Sequence, residues 1–139
     1  MNKSLIFAIV LLLNALNIFA GVKPPQAVLT AFQQKFPSAK EVKWEKENAT
    51  EYEANFEINE VECSANFNEN GTWVETETEI GYVSLPDAVK KAFEMQVKKK
   101  AKESSRIERA NNVILYEVEY KKGLKSKKLV FNSDGTMAK

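Results

Sequence analysis

FNENGTWVETETEI, residues 67–80, admits two readings that exclude each other. Asn66, Asn68 and Asn70 occupy alternate positions, Gly71 follows, and Glu77 stands six residues later, close to the spacing of an EF-hand calcium loop. The same residues read as a β-hairpin, a polar turn ending in Asn-Gly and then an alternating strand. Calcium needs several hard, charged oxygens. Here the first three ligand positions are neutral amides, and Glu77 is the only carboxylate at a ligand position. The stretch returns as FNSDGTM at 131–137, with Gly71 matched by Gly135 but the first ligand position occupied by Val130. The hairpin reading therefore prevails, with Gly71 and Gly135 in turns that need positive φ, and neither a metal nor any other cofactor is expected.

Working outward, the whole chain repeats. PPQAVLTAFQQKF (24–36) returns as LPDAVKKAFEMQV (85–97), and TEYEANFEI (50–58) as ILYEVEYKK (114–122). Tyr52 matches Tyr116, Phe56 matches Tyr120 and Phe67 matches Phe131, all 64 positions apart, while the first segments match at 61. A short insertion between helix and sheet in the second copy would explain the difference. The copies diverge at two aromatic positions, Arg109 standing where Trp44 predicts an aromatic and Met137 replacing Trp73.

Each copy opens with helical periodicity: Ala27, Val28, Ala31, Phe32 and Phe36, then Ala88, Val89, Ala92, Phe93 and Val97. Pro24 and Pro25 suit the start of the first helix and Pro37 its stop, and Ser84 with Asp87 suggests a capping pair for the second. Lys98, Lys99, Lys100 and Lys102 read as its solvated C-terminal end, where positive charge complements the helix dipole. The period then becomes two: Tyr52, Ala54, Phe56 and Ile58 alternate with glutamates and Asn55, as do Val61, Cys63, Ala65 and Phe67 with Glu62, Ser64 and Asn66. One face is apolar and one wet, as in an antiparallel sheet covered on one side. The fold class is α+β: two tandem repeats, each a helix followed by an antiparallel β-meander, forming a sheet with helices on one face. The repeats span 21–81 and 82–139 and together read as one structural domain.

Residues 1–20 have the pattern of a signal peptide: Lys3, the apolar run Leu5–Leu13, and small residues at Ala20 and Gly21. The run is too short to span a bilayer, so a periplasmic or secreted protein is expected, with no membrane association after cleavage. Cys63 is the only cysteine and shares the parity of Ala65, so it reads as a buried small hydrophobe. There is no histidine, which excludes a Ser-His-Asp triad and His-ligated zinc. Glutamates are plentiful, but alternating along strands they describe a wet face rather than a catalytic pair.

Charge divides unevenly. Residues 25–80 carry twelve acidic and four basic side chains, and residues 81–139 seven acidic and fourteen basic. The split either orients a partner or holds the two repeats together. An exported chain with an acidic half does not suit nucleic acid. By parity the helix-free face carries Glu53, Glu62, Trp73, Glu75 and Glu77 from the first copy, and Leu115, Glu117 and Lys128 from the second. Trp73 is the natural aromatic anchor of an interface there, unless it covers its own sheet at the hairpin end. Trp44 shares the parity of Val42 and belongs to the core.

The helix ending in KFP, the Val-x-Trp strand, the Tyr-x-x-x-Phe strand and the NGTW turn followed by ETE resemble the PepSY-like, β-lactamase-inhibitor-protein-like family of small secreted bacterial proteins. The resemblance spans nearly all of the mature chain. It implies a non-enzymatic binding module, inhibitor-like, that grips an unidentified protein or peptide of the cell envelope on its open sheet. The alternatives are a ligand or cation (calcium) sensor built on Glu75, Glu77 and Glu79, and a carboxylate-based hydrolase. No inhibitory residue set carries over from the resemblance.

Overall fold

The structure, a computed structural model, describes residues 21–139; the leader read in the sequence lies outside them. Pro25 precedes helix α1 (Gln26–Lys35), which ends at Phe36 ahead of Pro37. Four strands follow: β1 (Lys40–Lys46), β2 (Glu51–Ile58), β3 (Val61–Asn68) and β4 (Trp73–Glu79). A 3₁₀ turn at Tyr82–Ser84 leads into α2 (Asp87–Gln96), and then β5 (Ala101–Arg109), β6 (Val113–Lys122) and β7 (Lys125–Asn132). The seven strands form one antiparallel sheet in chain order, so β4 and β5 join the two repeats edge to edge.

Both helices pack on the same side of the sheet. Val28 and Phe32 of α1 meet Ala54, Phe56, Cys63, Ala65 and Phe67, and Val89 and Phe93 of α2 meet Val118 and Phe131. Matching aromatics occupy matching places: Phe32 contacts Phe56 at 5.1 Å between ring centroids, and Phe93 contacts Tyr120 at 6.0 Å. Full burial of a phenylalanine is worth about 2–3 kcal/mol, so these few rings anchor each helix. Cys63 is buried as its parity indicates, and burial pushes its thiol pKa up.

The disputed stretch is a hairpin joining β3 to β4. Gly71 N–H donates to Asn68 O at 2.8 Å, and Thr72 N–H donates to the Asn70 Oδ1 at 2.9 Å. The second copy repeats both bonds, Gly135 to Asn132 at 2.9 Å and Thr136 to the Asp134 Oδ1 at 2.9 Å. Asn70 thus spends its side-chain oxygen on its own turn. Gly71 and Gly135 have φ of 88° and 85°.

Four details differ from the sequence reading. Helix α2 is preceded by Pro86 and has no side-chain cap; Asp87 lies in its first turn and pairs with Lys90 at 2.9 Å instead of with Ser84. The lysine run lies beyond the end of α2, and Lys102 belongs to β5. The extra length of the second copy is not between helix and sheet. Lys46 opposes Tyr52, and its counterpart Arg106 opposes Tyr116, but the β5–β6 hairpin runs on to Arg109↔Val113. By the same register Ser104, facing Val118, stands where Trp44 faces Ala54, and Arg109 has no counterpart in the first copy. A serine suffices there because Tyr82, from the connection between repeats, meets Phe93 at 6.1 Å where Trp44 meets Phe32 at 5.1 Å.

Candidate functional site

Strand alternation puts every second residue on the side opposite both helices. Following the register, Glu53, Asn66, Glu75, Arg109 and Val113 form one row across β2–β6. Asn55, Ser64, Glu77, Ile107, Leu115 and Asn132 form the next, running on to β7. Glu62 and Glu117 lie one step further along β3 and β6, and Lys128 opposes Glu119 on β7. The helix-free face therefore gathers seven of the eight residues singled out by parity.

Trp73 is the exception. Asn66 opposes Glu75 while Phe67 opposes Trp73, leaving Val74 as the extra residue of a β-bulge. The bulge turns Trp73 to the helix side, with Phe67. There it packs against the α1 core, its Nε1–H donates to the Thr76 Oγ1 at 2.9 Å, and the Lys35 ammonium lies 3.8 Å from the ring centroid. It is the hairpin-end tryptophan that covers its own sheet, and not a side chain of the open face. Met137 bridges back to Phe131 in the matching way.

Parity missed what lies at the floor of this face. Leu115 and Ile107 oppose each other with only 4% of each exposed, yet neither belongs to the helix-side cores. Asn55, Ser105 and Glu119 are buried on the same side. The signal available in the sequence was Ile107, an isolated branched residue at the parity of Ser105 and Arg109.

The charges on the two halves of the face behave differently. In the second half each carboxylate has a cation: Glu119 with Lys102 at 2.8 Å, Glu117 with Lys128 at 2.5 Å, and, across the junction of repeats, Glu75 with Arg109 at 2.7 Å. Burial disfavours the Glu119 carboxylate, but hydrogen bonds from Lys102 and Ser126 outweigh it and lower its pKa. Burial also disfavours the charged Lys128, whose pKa is nonetheless raised by its bond to Glu117. Glu117 is itself raised, by burial and then by the charge of Glu77, against the pull of Lys128. In the first half Glu53 is raised to about 7, chiefly by burial, then by the hydrogen bond and charge of Glu47 and the charges of Glu45 and Glu77. Glu62 is raised by burial and by Glu79, Glu103 and Glu57. A groove beside α2, lined by Tyr82, Phe93, Glu94, Lys98, Lys99, Lys100 and Ala101, contains one carboxylate and lies away from this face.

Among the described residues no helix is long and apolar enough to cross a membrane. No curated protein sequence matches the chain. Among solved structures it is similar to a protein of Bacteroides eggerthii of proposed periplasmic location, with a TM-score of 0.75 and 18% identity over 85% of this chain and 88% of that one. A DUF2874 family protein from Bacteroides ovatus gives 0.73 and 23%, over 86% and 87%. A protein from Bacteroides fragilis described as BLIP-like gives 0.68 and 27%, over 86% of each chain. The sequence pattern of one family, described as beta-lactamase-inhibitor-like and PepSY-like, matches residues 23–64 and again 58–139, once for each repeat. With both of its helix-and-meander units matched, the chain belongs to the PepSY-like, beta-lactamase-inhibitor-like family.

Proposed function

We propose that this protein is a secreted, non-enzymatic binding module that docks a protein or peptide of the cell envelope on the helix-free face of its sheet. One observation carries the reading: a seven-stranded surface continuous across both repeats, with both helices on its other side. Above the buried Ile107 and Leu115 it presents Val113, 43% exposed, beside the ion pairs Glu75–Arg109 and Glu117–Lys128, exposed apolar surface next to charge as protein interfaces combine them. The beta-lactamase-inhibitor-like description of the family supports a protein partner.

The test is affinity capture from an envelope extract with three baits: the wild type, Val113→Arg on the open face, where Val113 is 43% exposed, and Met95→Arg on the exposed side of α2, where Met95 is 80% exposed. The docking reading expects the open-face variant to lose what the other two retain. Capture lost on changing Met95 and kept on changing Val113, with both variants folded by circular dichroism, would overturn it.

A further inference from the structure

We propose that the first-repeat half of the open face receives one basic side chain of the partner, a lysine ammonium or arginine guanidinium, between Glu53 and Glu77 over the Asn55 amide. This rests on the docking reading above and names the chemistry of one contact within it.

The placement follows from register. Asn55 opposes Ser64, and Ser64 opposes Glu77. Glu53 stands two residues before Asn55, on the same face of β2. Asn55 is 8% exposed, and its Oδ1 is buried with no protein donor in reach. Buried amide oxygens in folded proteins nearly always accept a hydrogen bond, from protein or from ordered water; this one has no protein donor, and a cation's N–H seated between Glu53 and Glu77 would supply one as the side chains above it part.

The surroundings specify the donor's charge. Among the described residues no ion pair reaches Glu45, Glu53 or Glu77, whereas Glu75, Glu117 and Glu119 each have one. Lys43 opposes Asn55 from β1 but pairs with none of these carboxylates. Lys128 feels the charge of Glu77, yet its ammonium is bound to Glu117. The groups facing Glu53 are Glu45 and Glu47 from the β1 side, neutral Asn66 on β3, and Glu77 on β4. Burial of its charge, and after it the crowding of these carboxylates, raises the Glu53 pKa to about 7. An incoming cation relieves that repulsion and supplies the N–H that Asn55 lacks. A metal ion is a poorer occupant, because no cluster of three or more acidic, His or Cys side chains among the described residues is arranged to hold one.

The experiment is an NMR titration of the protein at pH 8 with the blocked pentapeptide Gly-Gly-Arg-Gly-Gly. The lysine and citrulline versions and calcium chloride are run separately. The arginine or lysine peptide is expected to shift the Asn55 side-chain amide and the Glu53 carboxyl carbon in a saturable way, at least fivefold more tightly than citrulline. Glu53→Gln and Glu77→Gln should each weaken binding at least fivefold, and so should lowering the pH to 5.5. The spectra of the variants report directly whether they remain folded. Equal affinity for the arginine and citrulline peptides, unchanged affinity in Glu53→Gln, or tighter binding of calcium at the same residues would overturn the proposal. If the peptide binds here while Val113→Arg still captures the partner and Met95→Arg does not, the docking reading alone falls. If docking holds and Glu53→Gln binds the peptide as the wild type does, the basic-residue contact alone falls.

Discussion

Gly71 lies against the first turn of α1 so closely that a Cβ on it would stand 2.7 Å from the carbonyl oxygen of Ala27. Gly135 meets Ala88 of α2 in the same way, at 2.5 Å. The Asn-Gly and Asp-Gly turns therefore act as seats for the helices as well as hairpin ends. Substitution by alanine adds a left-handed backbone penalty of about 1 kcal/mol to a clash with main chain that costs about 1–3 kcal/mol. Gly71→Ala and Gly135→Ala should each lower unfolding stability by roughly 3 kcal/mol. Gly123, with φ of 65° but nothing within 4 Å of its Cβ site, should lose only the backbone penalty. Urea denaturation of the three variants checks the order.

Trp73→Ala should destabilise the fold by about 3 kcal/mol, as truncation of a large ring on a helix-side core does, while leaving open-face binding intact. Paired measurements of melting temperature and partner capture separate these outcomes. Loss of capture at unchanged melting temperature would contradict the bulge geometry that turns this ring toward α1.

Glu53 makes stability depend on pH in a direction opposite to that of most carboxylates. Its folded pKa, about 7, lies above the ordinary value of 4.5, so between those values the folded state holds more proton than the unfolded one. Its contribution is fully present below about 4.5 and is lost as pH rises through 7. Glu53→Gln should therefore raise the melting temperature relative to wild type at pH 8, by an amount that shrinks toward zero at pH 4.5. Thermal melts at both values test it. A constant difference would mean that neither burial of the Glu53 charge nor repulsion from Glu47, Glu45 and Glu77 is what the substitution relieves.

Glu119 is 3% exposed and its charge rests on Lys102. Removing one partner of a buried pair leaves an uncompensated charge, at a cost of about 3–5 kcal/mol. Lys102 retains some exposure, so Lys102→Met should fall at the lower end, and Lys102→Met with Glu119→Leu should recover most of the loss. A double-mutant cycle by chemical denaturation measures this directly.

The repeat and the two-residue alternation made the fold readable because both are set by which side of a strand meets a helix. Ala54, Phe56, Cys63, Ala65 and Phe67 all lie where their parity places them. Parity fails wherever a single residue is inserted into a strand. The bulge at Val74 reversed Trp73, and the lengthened β5–β6 hairpin misaligned Arg109 with Trp44. The open face was legible as a set of residues but not as an environment. Whether Glu53 or Glu117 has a cation depends on cross-strand neighbours such as Glu77 and Lys128, and the burial of Leu115 depends on Ile107, which only the register brings opposite it.

The β4–β5 pairing joins two like units head to tail, and such a contact has no inherent endpoint, since each added unit offers a fresh edge to the next. Here β7, one of the two edge strands, presents Lys125, Lys127 and Lys128 in a short, exposed segment. Rows of ammonium groups repel a further strand. With the Phe131–Met137 bridge covering part of the same edge, those lysines work against pairing with a further strand, so the surface open to a partner is the face of the sheet and not its rim.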